Sequence, residues 1–345
     1  MTAETSSAPF IARWDLDKTY LRTNFDTVRD LLRTAIERPD QKRTVPGAAA
    51  LMRQLGDAGA DIHILSGSPE QLRGRIIEKL RLDGVAYASL TLKPNLSNLL
   101  RLRLRAVRGQ LGYKLPALLR RRCELPTQRA PAPSDELLAE VLFGDDAEAD
   151  AFVYSLYADV GTGRIDGEQL AAIMRAGDCY DDDIRDAQRF ASYIVPGRFV
   201  RRILIHLERQ SSPRAFEVYG GRVVPFYNYL QAAIALYEDS FIPPRGLLAV
   251  AQELAARHHF NGDALAQSYF DLARRGHVRG TGLQTLRDDY DGWVRSERFA
   301  AASEIGEMLT LIEAQAAELP PRSVPQDNHI DYLSVVHEHN QRRQQ

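Results

Sequence analysis

Two carboxylates two residues apart, Asp15 and Asp17, follow the short apolar run Phe10–Trp14, which reads as a buried strand broken only by Arg13. Open α/β sheets bind ligands outside the carboxyl ends of their strands. A pair of acids there can work on an electrophile, one attacking while the other moves a proton or helps hold a metal. Asp-x-Asp also caps helices and starts turns, so the reading depends on partners supplied later in the chain. Asp61–Leu65 is a second apolar strand, ending in Ser66-Gly67-Ser68-Pro69. A third, Ala139–Phe143, ends in Gly144-Asp145-Asp146, with Asp150 a few residues on, and Lys93 and Lys114 lie between the two. Two carboxylates, a hydroxyl, a lysine and a further acidic pair make a complete set for phosphoryl transfer. They supply a nucleophile, groups that hold the phosphoryl oxygens, and ligands for a Mg2+ ion that neutralises charge.

The ordered segments DLDKT (Asp15–Thr19), ILSGS (with Ser66), Lys114 and GDDAEAD (Gly144–Asp150) resemble the motifs of the haloacid dehalogenase-like phosphohydrolases. SGSPEQL, RRILIHL and YNYLQAAIALYEDSFI give a narrower resemblance to the phosphatidate-phosphatase-like branch that contains the lipins and the yeast actin-patch phosphatidate phosphatase. The resemblance spans residues 10–243 in outline, and Lys18 stands where that branch commonly has Asp. It implies a Rossmann-like parallel α/β sheet with a small cap. It also implies a Mg2+-dependent phosphomonoester hydrolase that forms an aspartyl-phosphate, acting on phosphatidate or another bulky phosphate ester. A small-metabolite or phosphoprotein phosphatase, or a non-catalytic protein-interaction module on the same fold, is the alternative.

Carried onto this chain, the resemblance makes Asp15 the nucleophile and Asp17 the acid and base, with Thr19 orienting their loop toward substrate. Ser66 holds the phosphoryl group, with Gly67 and Ser68 beside it. Lys114 stands at the expected distance before the last motif, and Lys93 directly follows a predicted strand, so either can supply the ammonium. Asp15, the Asp17 carbonyl and Asp145 are the expected metal ligands, with Asp146 and Asp150 competing for the supporting role.

Such groups need a sheet to position them. The pattern predicts helices over Phe25–Glu37, from Pro46-Gly47 to Leu55, and over Pro69–Leu80, with a strand over Val85–Leu92 and a loop over Ala130–Glu136 in which Ser134 caps a helix. The interval from Asp15 to Ser66 is too short for a large lid. Helices over Asp150–Tyr157, Asp166–Met174 and Asp183–Ile194 precede a strand at Arg202–Leu207, so residues 160–198 read as a helical insertion. An edge strand at Arg222–Tyr227 and a helix at Tyr229–Tyr237 complete the first domain, residues 1–243. Leu247–His258, Gly262–Arg274, Gly282–Val294 and Ala300–Leu319 predict a helical C-terminal domain over 244–319, able to serve a protein partner, and the polar tail 320–345 reads as mobile.

The 345 residues suit one large or two moderate domains. Forty-four basic and 46 acidic side chains give a net charge of −2, which argues against a nucleic-acid partner. Cys123 and Cys179 make no disulfide or zinc pattern, and MTAETSSAPF lacks the features of a signal peptide. The expectation is a cytoplasmic protein without a transmembrane segment, peripheral at a membrane surface if its substrate is a lipid. Residues 91–122 carry seven arginines and two lysines and no acid, which reads either as a solvated helix face or as a patch for an anionic surface. DVGTGRIDGEQL lacks the ordered oxygen ligands of a calcium loop, and His206, inside an apolar strand, reads as a packing residue.

Overall fold

In the first strand, Phe10, Ala12 and Trp14 enter one hydrophobic core while Arg13 turns to the opposite side and pairs with Glu140. That alternation reflects a sheet buried on both faces. The computed structural model describes residues 9–21, 44–93, 106–125, 137–296, 300–316, 318 and 329–341. The predicted helix over Phe25–Glu37, the loop with Ser134 and residues 94–105 of the basic segment lie outside them.

The strands are β1 (Phe10–Trp14), β2 (Ala60–Pro69), β3 (Ser89–Lys93), β4 (Glu140–Asp145), β5 (Val200–His206) and β6 (Val223–Phe226). The helices are α1 (Ala48–Asp57), α2 (Arg73–Leu82), α3 (Ala106–Cys123), α4 (Asp150–Gly161), α5 (Gly167–Ala176), α6 (Asp181–Ala191), α7 (Tyr229–Glu238), α8 (Pro244–His258), α9 (Gly262–Arg274), α10 (Leu283–Ser296), α11 (Ala302–Ala316) and α12 (Tyr332–Gln341). The sheet runs β3-β2-β1-β4-β5-β6 with every neighbouring pair parallel. Parallel neighbours need crossover connections, and the helices that make them cover both faces. This is the Rossmann-like α/β arrangement expected from the sequence.

Helices α1, α2 and α7–α11 share one core with Trp14, Val141, Phe143 and Leu204. Helices α3–α6 and α12 share the other with Leu142, Ile203 and Ile205. The helices after Pro244 therefore pack into the same core as one face of the sheet. The helices predicted over Asp166–Met174 and Asp183–Ile194 are present as α5 and α6, and the would-be calcium loop is a helix start: Asp166 accepts from the Glu168 and Gln169 amides in a capping box.

One expectation needs correction. Part of the tail read as mobile is ordered, because α12 docks on the second core through Ile330, Tyr332 and Val336. The Tyr332 hydroxyl donates to Asp159 at 2.6 Å, beside the Arg222–Asp159 ion pair. Few apolar residues carry that contact, and they are scattered in a polar sequence, so periodicity alone gives no signal. Among the described residues no helix is long and apolar enough to cross a membrane.

Strand order reverses between β1 and β4: the chain winds outward to β2 and β3, then returns to the opposite side of β1 for β4, β5 and β6. A crevice opens outside the carboxyl ends of the strands where order reverses. Asp15 follows β1 and Asp145 ends β4, so the two acids flank that point.

Candidate active site

The seam between β1 and β4 continues past the strands. The Asp15 amide donates to the Phe143 carbonyl at 2.9 Å, which fixes Asp15 beside the end of β4. Beneath the seam Trp14 stacks on Phe143 with ring centroids 3.8 Å apart. The chain then turns sharply. Lys18 adopts a left-handed conformation with φ 60°, its amide donating to Leu21, while Leu16 accepts from Tyr20 and Leu21. Two aromatic residues brace this turn: Tyr229 donates to the Thr19 carbonyl at 2.5 Å, and His206 Nδ1 lies 3.1 Å from the Lys18 carbonyl.

On the β4 side, Gly144 has a specific reason to be glycine. A Cβ there would run into the Asp150 side chain, which folds back so that the Asp145 amide donates to its carboxylate at 3.2 Å. Asp145 in turn accepts from the Ala147 and Glu148 amides at 2.6 and 2.9 Å, a tight turn that swings Glu148 toward the same space. Asp150 opens α4, where the partial positive charge of a helix N-terminus favours a carboxylate.

Asp15, Asp145, Glu148 and Asp150 thus offer oxygens that all lie within 4.8 Å of one another. Lys114, fully buried on α3, reaches into this group, with Nζ 2.9 Å from Asp15, 2.9 Å from Glu148 and 2.5 Å from Asp150. Its contact with Asp15 Oδ1 is close enough for charge attraction, yet that oxygen accepts no hydrogen bond. Thr19 Oγ1 stands between the two strands' acids, 3.4 Å from Asp15 and 3.5 Å from Asp145.

Four acids around one ammonium, three of the four buried and Glu148 partly exposed, is an electrostatically unbalanced arrangement. Burial pushes the Asp15 carboxyl well above the usual carboxylate range; Lys114 pulls it back, while Asp150, Glu148 and Asp145 push it further up. Asp145 is raised by burial and then by Glu148 and Asp150. Asp150 is pushed up to about 6, chiefly by burial with Lys114 opposing. The Lys114 ammonium is held charged because those acids outweigh its own burial. Clustered hard oxygen donors of this kind could hold a divalent cation.

Asp17 lies on the β2 side. The Ser66 and Ser68 hydroxyls both donate to Asp17 Oδ2, at 2.9 and 2.8 Å, and the Ser68 amide donates to Ser66 Oγ at 2.9 Å. Gly67 sits between them, where a side chain would approach the Gln110 amide. Lys93, at the end of β3, is buried with Nζ 4.9 Å from the Tyr113 ring centroid.

The sequence-derived residues Asp15, Asp17, Thr19, Ser66, Gly67, Ser68, Lys93, Lys114, Asp145 and Asp150 therefore meet at one edge of the sheet. Asp146 faces elsewhere: its carboxylate accepts from the Arg209 and Ser211 amides at 2.8 and 3.0 Å and anchors the loop after β5. Of the two competing acids, Asp150 lies in the cluster. Glu148 is the member that sequence reasoning missed; its only signal was its position inside GDDAEAD. The chain matches no protein-family model, and no curated protein and no solved structure matches it.

Proposed function

We propose that this chain is a Mg2+-dependent phosphomonoester hydrolase that works through an aspartyl-phosphate on Asp15. The observation that carries the reading is the Asp15–Lys114 contact of 2.9 Å inside the group formed with Asp145, Glu148 and Asp150. The resemblance of its ordered motifs to the haloacid dehalogenase-like phosphohydrolases supports the same reading.

In this mechanism an Asp15 carboxylate oxygen attacks phosphorus, and the bond from phosphorus to the alcohol oxygen breaks. Asp17, held by Ser66 and Ser68, gives its proton to the departing alkoxide and later takes one from the water that attacks the aspartyl-phosphate. That second attack releases phosphate and restores the Asp15 carboxylate. Lys114 offsets negative charge on Asp15 and on the phosphoryl oxygens. Asp15, Asp145, Glu148 and Asp150 would hold the Mg2+ ion, which when bound supplies further charge neutralisation.

Phosphatidate is the candidate lipid substrate because of the SGSPEQL resemblance. The described cations of the basic segment add little to that choice. Lys93, Lys114 and Arg122 are buried, and Arg120 and Arg121 pair with Glu124.

The deciding experiment is hydrolysis of 4-nitrophenyl phosphate with and without Mg2+ by the wild type and by Asp15→Asn. Acid-quenched protein is then examined by mass spectrometry for phosphate on Asp15. Mg2+-dependent turnover, lost in the variant and accompanied by a labelled Asp15, is the expected result. Equal turnover by folded Asp15→Asn protein would overturn it.

A further inference from the structure

The edge of the site toward β3 contains polar groups that the mechanism does not use. Gln110 and Tyr113 lie one turn apart on α3, immediately before Lys114, and so share a helix face. Gln110 Oε1 and the Tyr113 hydroxyl are both sealed from solvent, and neither has a hydrogen-bond partner. A buried polar atom without a partner is costly, and in a native site it calls for a ligand. Lys93 rests over the Tyr113 ring, and the Gln110 amide lies alongside Gly67. Burial lowers the Lys93 pKa, with Lys114 acting in the same direction, while Glu148, Asp17 and Asp15 counter them.

Position distinguishes this group from the phosphoryl site. β2 intervenes between β3 and β1, so the end of β3 is two strand spacings, about 10 Å, from the end of β1. That offset suits an atom group several bonds from the phosphorus attacked by Asp15. An ammonium, a phenol and an amide, which presents its NH2 when turned end for end, are all donors able to converge on one anion.

Building on the phosphatase reading, we propose that Lys93, Tyr113 and Gln110 form a subsite for a second oxyanion, a carboxylate or another phosphate, on the alcohol half of the substrate. The subsite determines which ester is hydrolysed. It lies on the β3 side of the phosphoryl group, with Ser66–Ser68 between the two.

The test compares kcat/KM for matched esters: 3-phosphoglycerate against glycerol 3-phosphate for a carboxylate, and fructose 1,6-bisphosphate against fructose 6-phosphate for a second phosphate. The wild type should favour the anion-bearing member of at least one pair by about tenfold or more, the scale of a charge-assisted hydrogen bond. The pair that discriminates identifies which oxyanion is taken. Lys93→Met and Tyr113→Phe should each bring that ratio close to one. Tyr113→Phe should also keep or raise Tm, since it removes an unpartnered hydroxyl, so a lost ratio there cannot be ascribed to misfolding. A wild-type ratio near one in both pairs, or an unchanged ratio in both variants, would overturn the subsite. Equal losses on both members would give Lys93 to the phosphoryl group and overturn it too. These outcomes leave wild-type hydrolysis of 4-nitrophenyl phosphate intact, whereas absence of that activity in the wild type removes the phosphatase reading and the subsite together.

Discussion

The phenol of Tyr229 donates a 2.5 Å hydrogen bond to the backbone carbonyl of Thr19, tying α7 to the turn that carries both loop aspartates. The link crosses 210 positions of sequence and joins two fully buried residues. Tyr229→Phe keeps the ring that stacks near Trp14 and removes only the hydroxyl. Leaving a buried carbonyl unpaired costs about 1–3 kcal/mol. Two outcomes are expected: urea unfolding should show a loss of that size, and 4-nitrophenyl phosphate hydrolysis should fall mainly in kcat, because the turn holds Asp15 and Asp17 less firmly. Unchanged stability and kcat would show that the turn holds itself.

Gly144 offers a sharper test of the acidic group. A Cβ at this position collides with Asp150, which must move for alanine to fit. Gly144→Ala should therefore weaken divalent-cation binding, read by calorimetry, and lower hydrolysis by about tenfold or more. Far-UV circular dichroism should stay that of the folded sheet. Wild-type cation affinity in the variant would show that Asp150 takes no part in holding the ion.

A cation that enters the group should also stabilise the fold. The Asp15, Asp145, Glu148 and Asp150 oxygens lie within 4.8 Å of one another, and Lys114 opposes three of them at close range. Binding to the native state alone adds about 2.7 kcal/mol when the ligand is at a hundred times its Kd. Mg2+ should raise Tm in a concentration-dependent way, and EDTA should reverse it. Asp145→Asn should abolish the Mg2+ shift, and retention of the full shift would move the ion elsewhere.

What was legible in the sequence was whatever strand ends announce. An apolar run that stops at a carboxylate, as at Asp15 and Asp145, positions that group because a parallel sheet aligns its carboxyl edges. Ser66 followed from its order along the chain, which left Lys93 beside Lys114 and Asp146 beside Asp150 as alternatives. Glu148 was not legible, since it reaches the group only because Asp145 accepts two amides and tightens the turn. Tyr229 opens a predicted helix, but its hydroxyl finds Thr19 only through tertiary packing. The choice between Asp146 and Asp150 likewise needed the loop after β5, whose amides claim Asp146.

The docked C-terminal helix yields a prediction about stability rather than chemistry. Val336 and Tyr332 are buried in the second core, and the Tyr332 hydroxyl caps the Asp159–Arg222 pair. A chain ending at residue 328 should lose several kcal/mol, given about 1.5–3 kcal/mol for each large apolar side chain buried. Tyr332→Phe should lose about 1 kcal/mol, the net value of one hydrogen bond. Urea unfolding measures both, and equal stability of the shortened and full chains would mean that α12 docks without contributing to the fold.

Glu140 links folding to pH. Its carboxylate is fully buried and accepts from Arg13, Arg122 and Tyr157, with distances of 2.5 and 2.9 Å to Arg13 and 2.9 Å to Arg122. Burial alone would raise its pKa, but Arg13 and then Arg122 outweigh that effect and hold it below the ordinary glutamate value. A depressed folded pKa means that the charged form contributes stability above the unfolded pKa, about 4.3, and that this contribution disappears as pH falls through the folded value. Glu140→Gln leaves two buried guanidiniums without their counter-charge, which should cost about 3–5 kcal/mol near neutral pH. The difference between wild type and variant should therefore be constant at neutral pH and shrink in acid below about pH 4, as the wild-type carboxylate takes up its proton. Urea unfolding of both proteins from pH 7 to pH 3 tests this, and a difference that stays constant to pH 3 would mean that the Arg13–Glu140–Arg122 network acts through packing rather than charge.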